Sequence, residues 1–326
     1  MRAFLPEAQM IYLRQSRFNA LSMITPPALK KGSKVGLVAP AKIVSRETVK
    51  PAVEILKSWG LKVVKGKNLL ARNFQFAGTD AQRTADLQQM LDDDTVEAVF
   101  CFRGGYGTTR IIDNLDFSRF LAQPKWIVGY SDITALHLHL HRMGVESLHA
   151  TMPMLFARDS ERSVSGLREI LFSGKDDFKI SLQGRGGRAG QATGQAIGGN
   201  LSLIATCLGT ASEADFSGKI LFLEDIGEYL YHIDRMMIQL KRAGKLENLA
   251  GLVVGHFTAM QDNAAPFGQT AEEIILEAVR EYGYPVGFGF PIGHETENLP
   301  IPCGRLLKLK VSRNKAELRN VTDGAA

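Results

Sequence analysis

Cysteine is scarce in this chain. Three cysteines, Cys101, Cys207 and Cys303, are spread over 326 residues. Their odd number and wide spacing exclude a disulfide framework and a zinc knuckle. Cys101 stands in an apolar segment, where a thiol is more typical of the core than of a nucleophile. This cysteine usage indicates a reducing compartment, and we expect a cytoplasmic protein.

Long apolar runs and runs of a single charge are also missing. Glu7, Arg14 and Arg17 interrupt the first 24 residues, so we predict no signal peptide, no transmembrane span and no membrane partner. The 39 basic residues exceed the 34 acidic ones by five but are not clustered, which argues against a nucleic-acid partner. A mild positive excess suits a substrate that carries carboxylates.

What the sequence does contain is an α/β alternation in its first half. Apolar segments alternate with segments of helical periodicity, which predicts a parallel sheet with helices on both faces, flavodoxin-like or Rossmann-like. In such sheets functional groups gather at the carboxyl ends of the strands. The predicted strands cover 34–39, 61–64, 96–102, 126–128 and 146–149, and the predicted helices cover 46–59, 79–92, 108–115 and the segment after 131.

The length is enough for two domains. We predict an N-terminal extension over 1–30, a parallel α/β domain over 31–160 and a linker over 161–190 that ends in a glycine-rich stretch. After the linker the predicted strands and helices no longer alternate regularly, which predicts an α+β domain over 191–326. This division separates the candidate site residues described next between two domains.

Ser131 stands at a strand-to-helix corner. Gly129 follows the fourth predicted strand and marks the corner, and helical periodicity begins at Ile133. A serine at such a corner is exposed, and the free N–H groups of the first helical turn can hold a developing negative charge. This is the logic of a nucleophile elbow. The ordinary alternative is that Ser131 is a helix N-cap.

A serine nucleophile needs a base, normally a histidine that a carboxylate orients. His294 lies in a loop rich in glycine and proline, where functional histidines are common. Glu224 ends an apolar strand and is a candidate for the orienting acid, although the adjacent Asp225 competes with it. The alternatives are a solvated loop histidine and a solvated pair of acids in a turn.

Two other patterns have rival interpretations. His137 and His141 are one helical turn apart and could ligate a metal, but no acid stands beside them, so we favour a structural role and expect no metal and no cofactor. The loop 103–107 could cradle a phosphate, yet it lacks the Walker pattern and G-x-G-x-x-G. Gly105 in that loop, together with the amide of Asp132, could instead form an oxyanion hole.

Five motifs together carry a family resemblance. They are CFRGGYG at 101–107, GYSD at 129–132, IGGNL at 197–201, LED at 223–225 followed by IDR at 233–235, and FPIGH at 290–294. In this order they resemble the LD-carboxypeptidases, the serine peptidases of the murein-tetrapeptide carboxypeptidase and microcin-immunity group. The resemblance runs from about residue 34 to residue 309. One departure is that many members carry a His-Gly-Pro segment after the fifth strand, where this chain has His149-Ala150-Thr151-Met152-Pro153.

The resemblance implies a catalytic triad of Ser131, Glu224 and His294, with oxyanion donors at Gly105 and Asp132. It also implies an active site in the cleft between an N-terminal parallel-sheet domain and a C-terminal α+β domain, and commonly a homodimer. The implied reaction is release of terminal D-alanine from murein tetrapeptide in peptidoglycan recycling. On the acyl side of the bond stands the L-centre of a diamino acid, whose free carboxylate would need a cation or N–H groups, and Arg103 is the candidate.

Two alternatives remain open from the sequence. The first keeps the triad but acts on aminoacyl or peptidyl nucleotides, as in microcin immunity. The second is a non-catalytic, two-lobed protein that binds a small molecule and needs no triad.

Overall fold

The computed structural model describes residues 23–173, 178–183 and 187–321. Most of the predicted extension and the centre of the glycine-rich stretch lie outside these residues. The strands are β1 Lys34–Val38, β2 Lys62–Lys65, β3 Val96–Cys101, β4 Trp126–Gly129, β5 Ser147–His149, β6 Lys179–Gln183, β7 Gly190–Asn200, β8 Ile220–Ile226, β9 Gly251–Thr258, β10 Val286–Gly287, β11 Ile301–Cys303, β12 Leu306–Ser312 and β13 Lys315–Asn320. The helices are α1 Arg46–Ser58, α2 Asp80–Asp92, α3 Ser118–Ala122, α4 Thr134–Arg142, α5 Glu161–Ser173, α6 Leu201–Thr206, α7 Leu230–Arg242 and α8 Ala271–Ala278.

The N-terminal sheet confirms the predicted parallel α/β arrangement. Its strand order is β11-β5-β4-β3-β1-β2. Strands β1 to β5 are parallel, and their order 2-1-3-4-5 is the flavodoxin-like one rather than the Rossmann one. The inner strands are buried on both faces, as a sheet covered by helices on both sides requires.

Local signals in the N-terminal half were accurate except between β3 and β4, where helix α3 (Ser118–Ala122) was not predicted. Thr79 and Gln82 form the expected capping box at the start of α2. The segment 108–115, predicted as one helix, instead forms two short 3₁₀ turns, Thr108–Arg110 and Ile112–Asn114. Four of its first five residues are β-branched, which lowers helix propensity.

The C-terminal sheet is mixed. Its strand order is β10-β9-β8-β7-β12-β13-β6. The first four strands are parallel, and β12, β13 and β6 continue the sheet in antiparallel fashion. The carboxyl ends of β7 and β8 therefore meet at one edge, where Asn200 pairs in register with Glu224.

The segment predicted as a linker contains regular structure on both sides of its undescribed centre. Helix α5 buries Leu167 and Leu171 in the core of the N-terminal sheet. Strand β6 pairs with β13 in the C-terminal sheet. Strand β11, which falls in the predicted C-terminal domain, pairs antiparallel with β5 at the edge of the N-terminal sheet. The chain thus crosses between the two halves more than once, which a division at a single boundary does not anticipate.

The described end of the predicted extension packs on the N-terminal domain. Ile24 forms a bridge with Val145, and the indole N–H of Trp126 donates to the carbonyl of Pro27 at 3.0 Å. Leu29 is buried. Residues from 24 onward are therefore part of the domain.

Close contacts hold the two halves together beside the elbow. The amide of Asn200 at the end of β7 donates to Thr134 Oγ1 at the start of α4, over 3.0 Å. A β-carbon on Gly199 would lie 2.4 Å from the same hydroxyl oxygen, so the approach depends on glycine. A partly buried ion pair between Arg305 and Glu146, 2.8 Å long, also bridges the halves.

Candidate active site

The backbone at Ser131 has the conformation of a nucleophile elbow. Ser131 follows β4 by two residues and has a φ of 63°, in the left-handed region that non-glycine residues rarely adopt. Such a conformation costs on the order of 1–3 kcal/mol and is concentrated at functional sites. A short 3₁₀ turn, Ser131–Ile133, then leads into α4. A simple N-cap would not need this strained corner, because N-cap residues normally have extended backbone.

His137 holds the strand-to-helix corner by hydrogen bonds. Its Nε2 lies 2.8 Å from the carbonyl oxygen of Gly129, and its Nδ1 lies 2.8 Å from Ser147 Oγ. Burial lowers the pKa of His137 to about 4, so the ring is neutral near pH 7 and donates from Nε2 to the carbonyl. Among the described residues, no group of three or more His, Cys, Asp or Glu side chains could hold a metal. The structural interpretation of His137 fits these contacts.

The glycine-rich loop after β3 lies against the elbow. A β-carbon on Gly104 would stand 3.2 Å from Ser131 Oγ and 3.3 Å from the amide nitrogen of Asp132. Gly105 has a φ of 114°, which only glycine adopts without strain. The Asp132 carboxylate accepts a 2.8 Å hydrogen bond from the amide of Thr108. This bond ties the loop of Gly105 to the turn that carries Asp132.

Arg103 is partly committed to the backbone. Its Nη1 donates to the carbonyl oxygen of Ile43 at 2.8 Å. Burial lowers the pKa of this guanidinium. The side chain therefore braces the loop after β1 against the loop after β3, and the sequence-based suggestion that it binds a substrate carboxylate stays a prediction.

Glu224 and His294 form a hydrogen-bonded pair. Glu224 Oε2 lies 2.7 Å from His294 Nδ1, with the carboxylate fully buried and the imidazole 13% exposed. An ionised carboxylate only accepts, so Nδ1 carries the proton and Nε2 presents its lone pair when the ring is neutral. Burial lowers the pKa of His294, but the charge and hydrogen bond of Glu224 outweigh it, and the pKa is raised.

Asp225 faces a different set of partners. It accepts hydrogen bonds from Asn200 Nδ2 at 2.8 Å and from the amide and hydroxyl of Ser202 at 2.9 and 2.8 Å. Burial and the neighbouring Glu224 raise the pKa of Asp225 to about 6. The strand pairing is irregular between Leu223 and Asp225, and such irregularities re-aim side chains. The structure therefore places Glu224, not Asp225, on the histidine.

The loop of His294 is fixed by residues that the sequence did not single out. Oδ1 of the buried Asn298 accepts a hydrogen bond from the backbone N–H of Gly293 at 3.0 Å. The backbone N–H of Asn298 donates to Ser163 Oγ on α5 at 2.8 Å. Gly293 has a φ of 123°, and a β-carbon there would lie 3.0 Å from Glu224 Oε2. Asparagine in a loop has no distinctive sequence signal, since its partners are 5 and 135 residues away.

Tyr130 connects the histidine to the elbow. Its ring centroid lies 4.8 Å from that of His294, and it immediately precedes Ser131. Ser131 Oγ makes no hydrogen bond to any other described residue. Catalytic hydrogen bonds often tighten only when substrate is bound. The ring centroid of Tyr130 also lies 5.7 Å from that of His149. The segment that departs from the family pattern therefore begins at a residue that contacts the neighbour of Ser131.

Taken together, the strained Ser131 follows Tyr130, whose ring contacts the carboxylate-bound His294, and the glycine-rich loop after β3 packs against the serine. Models of the LD-carboxypeptidase N-terminal domain and C-terminal domain match this chain over residues 35–150 and 193–309. The chain belongs to the LD-carboxypeptidase family. The two matched segments fall one on each side of the helix and strand that replace the expected linker.

Relatives and solved structures agree with this membership. The chain is 36% identical over 317 residues to a probable murein peptide carboxypeptidase of Bacillus subtilis, covering 92% of this chain and 96% of the relative. It superposes on a muramoyltetrapeptide carboxypeptidase from Oxalobacter formigenes with a TM-score of 0.80 and 28% identity, covering 87% of this chain and 97% of the other. A microcin C7 self immunity protein in complex with aspartyl sulfamoyl adenosine shares the fold, with a TM-score of 0.81 at 20% identity over 92% of this chain and 99% of the other.

Membership makes this LD-carboxypeptidase homologue an enzyme of the serine-type carboxypeptidase class. The alternative of a non-catalytic binding protein does not fit that class. In the part of the chain that the structure describes, none of the helices is both long and apolar enough to cross a bilayer.

Proposed function

We propose that this enzyme hydrolyses the LD-peptide bond of murein tetrapeptide and releases terminal D-alanine, a step of peptidoglycan recycling. The observation that carries the proposal is the buried 2.7 Å pair of Glu224 and His294 beside the strained corner of Ser131. A histidine with its Nδ1 held by a carboxylate and its Nε2 free has the arrangement of a general base.

In the proposed first step, Ser131 Oγ attacks the scissile carbonyl carbon and His294 Nε2 takes the hydroxyl proton. Glu224 holds the ring orientation and stabilises the imidazolium that forms. The carbonyl oxygen becomes an oxyanion, to which the amides of Gly105 and Asp132 donate. Backbone donors held in place before the reaction stabilise such a charge without reorganising.

In the second step the C–N bond breaks and the imidazolium gives its proton to the departing amine of D-alanine. The remaining muropeptide is then an ester of Ser131. A water molecule, deprotonated by the neutral His294, attacks that ester and restores the serine. Protons balance over the cycle, and no cofactor or metal enters the proposed steps.

The substrate assignment is supported by the relatives, whose names refer to murein peptides and muramoyltetrapeptide. The test is an assay of free D-alanine after incubation with murein tetrapeptide. A tetrapeptide ending in L-alanine is the matched control. We expect release from the first substrate and little from the second, and absence of D-alanine release would refute the substrate assignment.

The microcin-immunity alternative keeps the same residues and changes the acyl donor. The structural likeness to a protein bound to aspartyl sulfamoyl adenosine makes that compound the probe. Hydrolysis of it at a higher kcat/KM than that of the tetrapeptide would favour this alternative. The homodimer and the cytoplasmic location stay predictions.

The pH dependence follows from the pair of Glu224 and His294. Glu224 raises the pKa of His294 against the effect of burial, and the base works only when neutral. We therefore expect kcat/KM to fall as the pH is lowered through a midpoint above the ordinary histidine value of about 6.5. A pH–rate profile on murein tetrapeptide measures this. A single acid limb centred well below pH 6 would contradict it.

A further inference from the structure

A carboxypeptidase must distinguish a C-terminal residue, with its free carboxylate, from an internal one. A charged hydrogen-bond donor on the leaving-group side of the nucleophile makes this distinction. The donor must stand about one residue, roughly 3.8 Å in Cα spacing, from the scissile bond. Arg103 is the basic residue of the motif CFRGGYG, but one of its N–H groups already donates to the carbonyl of Ile43.

Lys42 lies across the glycine-rich loop. A β-carbon on Gly105 would stand 2.5 Å from Lys42 Cδ and 3.0 Å from Lys42 Cε. The aliphatic stem of the lysine therefore occupies the space that a side chain at position 105 would take. The adjacent Gly104 makes the corresponding close approach to Ser131, with its β-carbon position 3.2 Å from Oγ. Two consecutive glycines thus have Ser131 on one side and Lys42 on the other.

The backbone around Lys42 is held from several sides. The amide of Ile43 donates to the carbonyl of Gln75 at 3.0 Å, and the amide of Ala77 donates to the carbonyl of Ala41 at 3.1 Å. Arg103 donates to the carbonyl of Ile43. A half-buried lysine on a braced loop loses less conformational entropy on binding a ligand than a lysine on a free loop.

The ammonium of Lys42 has no acidic partner. Within 23–173, 178–183 and 187–321, no ion pair or hydrogen bond occupies it. Asp80, at the start of α2, is already paired with Arg83 and Arg110. On the histidine side, Arg158 is paired with Asp159 at 3.6 Å, and its side chain is 59% exposed. Lys42 is therefore a cation without an acidic partner, and its side chain lies against the loop that also packs on Ser131.

We propose that Lys42 binds the C-terminal carboxylate of the residue that is released. This inference rests on the proposed function, since it assigns a recognition role within the same site. Free of a competing acid, the ammonium is available to an anionic ligand, and its stem sits against the loop that carries the proposed oxyanion amide of Gly105. The assigned ligand is the carboxylate of the terminal D-amino acid, not those of the acyl side.

The test compares two substrates with two variants. Murein tetrapeptide is assayed with its free carboxylate and as the C-terminal amide. We expect Lys42→Met to lower kcat/KM for the free acid by about 10–100-fold, the range for a lost hydrogen bond to a charged group, and to change the amide by less than threefold. Lys42→Arg, which keeps the charge, recovers part of the loss. Lys67→Met, an exposed lysine after β2, is the matched control and leaves both substrates unchanged.

Other outcomes overturn the inference. An equal loss on both substrates means that Lys42 only shapes the loop, and no loss on either means that it does not meet the substrate. If Arg103→Met lowers kcat/KM for the free acid but not for the amide, and Lys42→Met changes neither, the carboxylate is bound by Arg103. A circular dichroism melt of each variant verifies folding, and Lys42→Gln replaces any variant that does not fold. Failure of the proposed function is separate, because it shows as no D-alanine release by the unaltered enzyme.

Discussion

Ser131→Ala reduces D-alanine release by at least about 10³-fold, because the variant lacks the hydroxyl that forms the proposed acyl ester. The loss appears in kcat rather than in KM, since the hydroxyl acts on the bond and not on binding. At a φ of 63° the backbone strain is the same for alanine as for serine, so the free energy of unfolding changes little. Single-turnover kinetics on murein tetrapeptide and a urea titration measure the two quantities.

Ser165→Ala is the control for this variant. Ser165 is an exposed serine on α5, far from the elbow in sequence, and its replacement leaves both quantities unchanged. Retention of more than about one tenth of the turnover by Ser131→Ala, in a preparation free of unaltered enzyme, would mean that Ser131 is not the nucleophile. Trapping an acyl-enzyme on Ser131 by mass spectrometry gives independent evidence for the covalent step.

Glu224→Gln lowers kcat by about 10³–10⁴-fold with little change in KM, by analogy with the loss of the orienting acid in other triads. A glutamine amide can donate to Nδ1, which favours the tautomer with its proton on Nε2 and leaves no lone pair for Ser131. The variant also removes the charge that raises the pKa of His294, while burial still lowers it. The acid limb of the pH–rate profile therefore moves to lower pH.

Glu295→Gln is the matched control. Glu295 is next to His294 in the chain but exposed, and it accepts a 2.9 Å hydrogen bond from Thr258 Oγ1. Its replacement removes a carboxylate from the same loop without touching the imidazole, so kcat and the acid limb stay in place. If Glu224→Gln and Glu295→Gln had the same small effect, the pair of Glu224 and His294 would have no part in proton transfer.

Much of the N-terminal half could be predicted because its signals are local. Capping at Thr79, glycine at the strand-to-helix corner and apolar runs between polar helices are set by neighbours within a few residues. The 3₁₀ turns at 108–114 differ from the predicted helix because β-branched residues weaken a short helix that tertiary contacts do not extend.

The C-terminal half was less predictable because its pairings are distant. The sequence position of strand β11 lies within the predicted second domain. In the structure β11 is instead the edge strand of the first sheet, where Ile301 pairs with His149. Helix α5 lies in the segment that was predicted to be a linker. Its Ser163 nevertheless accepts a hydrogen bond from the backbone of Asn298 and so fixes the loop that carries His294. Such pairings depend on the packing of whole elements and leave no periodic pattern in the sequence.

The sequence alone determined the α/β class of the first domain and the choice of Ser131, His294 and the adjacent acids Glu224 and Asp225 as candidates. These follow from residue type, periodicity and turn chemistry, which act over short distances. The preference for Glu224 as the acid came from the family resemblance of the motifs. Only the tertiary structure decided which of the acids Glu224 and Asp225 faces the histidine, which groups hold its loop, and that Lys42 lies across Gly105. The physical reason is that side-chain direction at a strand end depends on the neighbouring strands and on register. Neither is encoded within the segment itself.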